Sequence, residues 1–322
     1  MLRSDDIIFG IAMPIVLSAI IMIVSRRLGQ PAGAIFIANR GAGGVKWGGS
    51  GRSVWGAVAI GLSYLVAHVG VQGWPTFPPV PVEHGLFWIA LIVLAGAIAL
   101  EVAHAREVGR GVFVGLAIVA SVWLITRRMW HEDVARWTAW QGAMWVGVLS
   151  IGAALHVLFV GALARSADCD NELVGSAQRG SRLAEFDMPF VLSGVIGLGG
   201  LLVTLNGKFL ALGILSGAVA LSLLVCAGVA LFAKGASIAR GGQLVAGVLG
   251  LMIWLDACLW GEFEYGYAVV LAMAPACAAG ATLVLPREAP GLARTIAKVI
   301  GAAGPIGLLV AIEIAKFAAE QA

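Results

Sequence analysis

Two carboxylates interrupt apolar stretches that otherwise carry no charge: Glu101 in AIALEVAH and Asp256 in MIWLDACLW. A carboxyl group taken out of water favours its protonated form, so it can pick up and release a proton, or hold a cation with its oxygens. Glu313 stands three residues before Lys316, a spacing that puts both on neighbouring turns of one helix and suits an ion pair or a coupling-ion site. His156 lies well inside another apolar run and His68 in the outer part of a further one. By the orientation that the basic residues imply, His156 falls toward the cytoplasmic half of the membrane and His68 toward the outside, so a shared haem iron is not expected, and a hydrogen bond between helices is the expected use of His156.

Metal and nucleotide chemistry find less support. Glu101-x-x-His104-x-x-Glu107 aligns three ligand types on one helical stripe, but a di-iron bundle needs a second Glu-x-x-His and two further glutamates. Asp168-x-Asp170-x-Glu172 starts like a calcium loop and then has Leu173 where that loop needs glycine. The glycine-rich stretch GAGGVKWGGSGR at 41–52 has neither the lysine spacing of a phosphate loop nor that of a dinucleotide fold. The cysteines Cys169, Cys226, Cys258 and Cys277 form no Cys-x-x-Cys. No catalytic residue, metal or cofactor is expected, and no nucleophile–base pair supports an enzyme.

The elements that must position these residues follow from composition. Hydrophobic residues make up 60% of the 322 and charged ones 12%, with a mean hydropathy of +0.95. Soluble domains carry about 25% charged residues, so a soluble enzyme is excluded, as are a disordered chain and a disulfide scaffold. The net charge of +3 is too small to suggest a nucleic-acid partner. The chain reads as an all-α integral membrane protein, because backbone amides in lipid must bond within their own helix. Ten segments approach the roughly 20 apolar residues a span requires: 7–25, 54–72, 85–103, 110–126, 143–163, 188–206, 209–233, 242–261, 267–285 and 298–316. The fourth is the shortest.

Basic residues favour the cytoplasmic side. Arg26, Arg27, Arg40, Lys46 and Arg52 follow the first segment, Arg106 and Arg110 the third, Arg165, Arg179 and Arg182 the fifth, Lys234 and Arg240 the seventh, and Arg287, Arg294 and Lys298 the ninth. This places both termini outside a bacterial-type inner membrane, with an uncleaved first helix. The arginines after the fourth segment belong to RRMWHEDVARWTAWQ, where Trp130, Val134 and Trp137 share one face, as in a helix lying on the outer leaflet. Residues 73–81, GWPTFPPVP, form a stiff connector.

The chain also repeats itself. Met13-Pro14-Ile15-Val16-Leu17-Ser18 returns as Met188-Pro189-Phe190-Val191-Leu192-Ser193, and Leu62-Ser63-Tyr64-Leu65-Val66 as Leu221-Ser222-Leu223-Leu224-Val225. Glu101 and Asp256 are equivalent in a third match, and the order is collinear. The expected division is a first five-helix repeat at 1–163, a cytoplasmic linker at 164–187 and a second five-helix repeat at 188–322. Five spans per unit is odd, so the two copies must be inverted in the membrane, as in many secondary transporters. Breaks in helices line the site of such carriers, and Pro275, Gly197 and Gly200 are the break candidates here; close packing is the competing use of the glycines.

The function expected from these features is a secondary transporter or permease with its site between the inverted repeats. Glu101, Asp256, Glu313 and His156 would be the substrate or ion-coupling groups. The partners expected are the lipid bilayer, a small-molecule or ion substrate, and other membrane proteins. The alternative is a non-catalytic membrane subunit or scaffold of a larger complex.

Overall fold

The computed structural model describes residues 4–35, 50–76, 83–102, 107–129, 137–173, 178–232, 238–286 and 289–320. They form helices and no strands. The order is α1 (Ser4–Ile7), a π-helical turn (Ile8–Ala12), α2 (Met13–Ile35), α3 (Ser50–Gln72), α4 (Glu83–Val102), α5 (Glu107–Thr126), α6 (Ala139–Leu173), α7 (Gln178–Leu205), α8 (Leu210–Phe232), α9 (Ala239–Trp260), α10 (Tyr265–Ala281) and α11 (Gly291–Glu320). Short 3-10 turns follow α5 and α10. Eight of these helices are long and apolar enough to cross a membrane; the apolar stretches of α4 and α5, His84–Leu100 and Gly111–Thr126, are shorter. The chain is thus a multi-pass helical membrane protein.

Successive helices run antiparallel. The start of α2 meets the end of α3, where Phe9 packs on Gly70. The start of α4 meets the end of α5 at Gly85 and Leu124. At that same end of the bundle the α7–α8 turn lies against the α9–α10 turn, with Phe263 on Gly207 and Phe209 on Gly261. Gly56 of α3 abuts Ile238 at the opposite end, and Gly301 of α11 abuts Cys277 of α10. The first end, which carries the α3–α4 connection, is called end A below, and the other end B.

The core sits on α9. Of its membrane-length stretch 94% is buried, against 22% for α11. Apolar side chains surround α9 on every side and glycines let neighbours close on it, as expected for a helix with no solvent or lipid face. By contrast α11 exposes Ile296, Ile300, Leu308 and Ile312, and α6 exposes Val148, Ile151, Leu155 and Leu158. These are outward apolar faces of the kind a bilayer covers.

Small residues set the closest helix pair, α7 and α8. A Cβ on Gly200 would lie 2.7 Å from Ser216 Cβ, and one on Gly213 would meet Thr204 and lie 2.9 Å from the Gly200 carbonyl. Ser193 donates to the Ala220 carbonyl (2.8 Å) and Ser216 to the Ile196 carbonyl (2.7 Å). Serine plays the same part between α2 and α3, where the Ser18 and Ser63 hydroxyls bond at 2.8 Å. The π-helical turn precedes Pro14, with Met13 N–H donating to the Ile8 carbonyl. Proline has no N–H to return to Gly10, and the wider turn accommodates that loss.

Helix ends differ from the sequence expectation in one consequential way. The polar stretch 164–187 is largely helical: α6 continues to Leu173 and α7 begins at Gln178. Likewise α11 begins at Gly291, before the apolar run. The glycine-rich stretch before residue 50, most of the proline-rich connector and the amphipathic stretch 130–136 lie outside the described residues.

Candidate functional site

Polar side chains inside the bundle gather in three places. The first lies toward end A between α3, α4 and α9. Tyr64 and His68 are one turn apart on α3, and both are fully buried. His68 stands 5.9 Å from Tyr64, 6.1 Å from His84 and 5.6 Å from Phe87, measured between ring centroids. Among the described residues, neither ring nitrogen of His68 nor the Tyr64 hydroxyl has a hydrogen-bond partner. Each such group left unpaired costs about 1–3 kcal/mol. Asp256 is buried as well, on α9, which packs against α3.

His84 closes this cluster toward end A. Its Nδ1 accepts the Thr76 N–H (3.2 Å) and lies 3.2 Å from the Thr76 hydroxyl. A main-chain amide can only donate, so the neutral His84 ring carries its proton on Nε2. The Trp88 indole donates to the Thr76 carbonyl at 3.2 Å. Gly73, at φ 85°, ends α3 and turns the chain toward Thr76; its N–H bonds the Val69 carbonyl at 2.9 Å.

A buried ion pair forms the second place, toward end B. Lys298 of α11 donates to Asp187 of α7, and their side chains are 0% and 4% exposed. Arg294 and Thr295 are buried one turn before Lys298. An unpaired charge at such a place costs several kcal/mol, so the two are interdependent.

The third place ties the helix ends together at end A. Tyr267 donates to Glu313 (2.7 Å), which also accepts from Lys316 (2.7 Å). Asn206 takes the Glu264 N–H at 3.1 Å, and Lys208 pairs with Glu262 at 2.8 Å in full solvent exposure. Lys208 holds the Glu262 carboxyl below the ordinary glutamate value, and Glu262 raises the Lys208 ammonium.

No protein-family model, curated protein or solved structure matches this chain. The functional argument therefore rests on these three constellations.

The coupling candidates do not converge. Asp256 is buried near Tyr64, whereas Glu101 lies in the last turn of α4, toward the other end, and its side chain is outside the described residues. Glu313 is buried in its network with Tyr267 and Lys316. His156 bridges helices: its Nδ1 bonds the Ala272 carbonyl of α10 at 2.9 Å, and its ring meets Trp254 of α9 edge-on at 5.9 Å. The α-helix runs through Pro275 without interruption. Gly197 and Gly200 also lie within continuous helix, close to Ala220 and Ser216 of α8, where they serve packing. His104 lies outside the described residues. Among those described, no three metal-ligand side chains come together.

Tyr64, His84, Asp187, Tyr267 and Lys298 were not among the candidates read from the sequence. Tyr64-x-x-x-His68 was a readable signal, two polar-tipped side chains on one helical face in an apolar run. The ion pair was not readable, because Lys298 looks like a loop residue before a span and Asp187 like the end of a linker. Only the extra helical turns of α11 and α7 carry them inside.

Proposed function

We propose that the chain is a secondary carrier built from two inverted five-helix units, α2–α6 and α7–α11, with its site between them. One observation carries this reading. Helices made equivalent by the internal repeat face each other in the middle of the molecule, α3 against α8 and α4 against α9. Each of those pairs runs antiparallel, as a twofold axis in the membrane plane requires. Buried ionisable groups sit on or beside the same helices, Tyr64 and His68 on α3 and Asp256 on α9. The repeated serines support it further: Ser18 reaches α3 from α2 and its counterpart Ser193 reaches α8 from α7. The two halves also differ, since α3 packs closely on α9 while α4 and α8 make little or no contact.

In this reading an outward-facing and an inward-facing state alternate. The Glu313–Tyr267–Lys316 network closes end A and the Asp187–Lys298 pair closes end B, each strong where it is sheltered from solvent. Asp256 is the coupling carboxylate, with Glu101 its counterpart at the other end. Following the distribution of basic residues, end A faces outward across an inner membrane.

Uptake into proteoliposomes of a panel of labelled sugars, amino acids, nucleosides and carboxylates tests the proposal. Gradient-driven accumulation of at least one solute is expected, with a tenfold or greater loss in Asp256→Asn. Accumulation that Asp256→Asn leaves untouched removes Asp256 from coupling. Absence of accumulation for the whole panel, from protein isolated only with a fixed membrane partner, replaces the carrier by a subunit.

A further inference from the structure

We infer that His68 is a proton-binding site, reached from end A through His84 and continued inward by Tyr64, so that the ion this carrier couples to is the proton. The inference takes its purpose from the carrier reading, but the proton site itself stands on geometry. Three polar atoms within one helical turn, the two His68 nitrogens and the Tyr64 oxygen, are buried without a hydrogen-bond partner among the described residues. A side chain kept only for packing has no need of two imidazole nitrogens in that position, where an apolar ring of similar size avoids their desolvation.

The chemistry of the donors selects the ion. Hard metal cations take oxygen ligands, commonly six or more; His68 offers nitrogens. A transition metal would need both histidines, but His84 gives its Nδ1 to the Thr76 amide and holds a proton on Nε2. No third ligand-type side chain joins them among the described residues. Imidazole is suited instead to exchange a proton at each of its two nitrogens, and intramembrane histidine and carboxylate chains are the usual proton relays.

The route follows from the spacing. His84 lies between the exposed Thr76 and the fully buried His68, with ring centroids 6.1 Å apart and the rings at 63°. Tyr64 is the next group inward at 5.9 Å. Neither the His68 nitrogens nor the Tyr64 hydroxyl hydrogen-bonds its neighbour directly, so each transfer calls for a small rotation of the rings or a bridging water. In the forward step the lone-pair nitrogen of His68 forms an N–H bond with the incoming proton and the ring becomes a cation. Its other N–H then breaks toward Tyr64, which passes its own hydroxyl proton to the Asp256 carboxylate as it takes one up, and the ring returns to neutral. Asp256 is buried on α9 and ends the route as the neutral acid. The described titratable groups on the elements packed against this centre are Tyr64 on α3, His84 on α4, Asp256 and Cys258 on α9 and Cys226 on α8. The π-helical turn and the described side chains of α2 add none, and α1 carries Asp5 and Asp6, whose side chains lie outside the described residues.

The full chain with ring-15N-labelled histidine, in lipid nanodiscs, reads the site without a substrate. The His68 signal is assigned by its loss in His68→Gln. It is expected to change reversibly from neutral to cationic between pH 9 and pH 4, with its midpoint displaced in Tyr64→Phe, a variant of nearly the same shape. A His68 signal that stays neutral over that range in folded protein overturns the inference, whatever the protein transports. In proteoliposomes with the same solute panel, accumulation driven by an imposed pH gradient is expected to fall at least tenfold in His68→Gln and severalfold in His84→Gln. Accumulation indifferent to the pH gradient and to both substitutions also overturns it, while leaving a carrier of another ion. A titrating His68 in a protein that accumulates nothing upholds the proton site and removes the carrier.

Discussion

The Asp187–Lys298 pair shows what single side chains do inside this bundle. Both are buried, so neither charge has water to fall back on once its partner is gone. Lys298→Met leaves Asp187 uncompensated and is expected to cost roughly 3–5 kcal/mol. The double variant Lys298→Met with Asp187→Leu is expected to be closer to the parent than either single change. Thermal unfolding in detergent, followed by tryptophan fluorescence, checks the order. The opposite regime holds at Lys208 and Glu262, which are fully exposed. Lys208 lowers the Glu262 pKa in the folded protein, so the pair contributes above the unfolded-state value of 4.5 and is lost as pH falls through the lower folded value. Glu262→Gln is therefore expected to lower the melting temperature slightly at pH 7 in low salt. The difference should fade as pH falls through the lowered folded value of Glu262, and in molar salt; one that persists in molar salt refutes the electrostatic origin.

At the scale of elements, glycine separates into two kinds. Gly213 on α8 faces Thr204 and the Gly200 carbonyl, so a methyl group there must push two helices apart. Gly213→Ala is expected to destabilise by about 1–3 kcal/mol. Gly152 on α6 has open space around the same position, and Gly152→Ala should be neutral or stabilising by up to about 1 kcal/mol through helix propensity. Equal effects at the two sites, in the same melting assay, count against the α7–α8 geometry. Helix type and approximate position were legible here because twenty apolar residues leave a backbone few options in lipid. The ends were less legible: polar residues continue α6, α7 and α11 beyond the apolar windows, since a helix leaving the bilayer goes on until its own sequence stops it. The glycines Gly197 and Gly200 were visible as a group, but whether they break a helix or admit a neighbour depends on the partner face.

The whole molecule turns on α9 and the helices around it. The Gly56 and Ile238 backbones touch where α3 meets the start of α9. A Cβ at position 56 would lie 2.6 Å from the Ile238 Cα, so Gly56→Ala is expected to destabilise by about 1–3 kcal/mol. An unchanged melting temperature in the same assay counts against this contact between the two proposed units. A reporter active only in the cytoplasm, fused after Ala322, is expected to be silent; activity there reverses the orientation proposed for end A.

Composition alone determined the solvent of this protein. With so few charges and so many apolar residues, only lipid can cover its surface, and in lipid the backbone must close its hydrogen bonds within helices. The collinear matches on which the proposal of a repeat rests were also read from order along the chain. Which buried groups meet was not. Tyr64 and His68 announced a shared face by their spacing, but His84, Asp256 and the bond between Asp187 and Lys298 joined only when helices distant in sequence packed together. Hydrophobicity sets that a helix is buried and leaves open against what; the small residues that decide how closely two helices approach act only through the surface they meet.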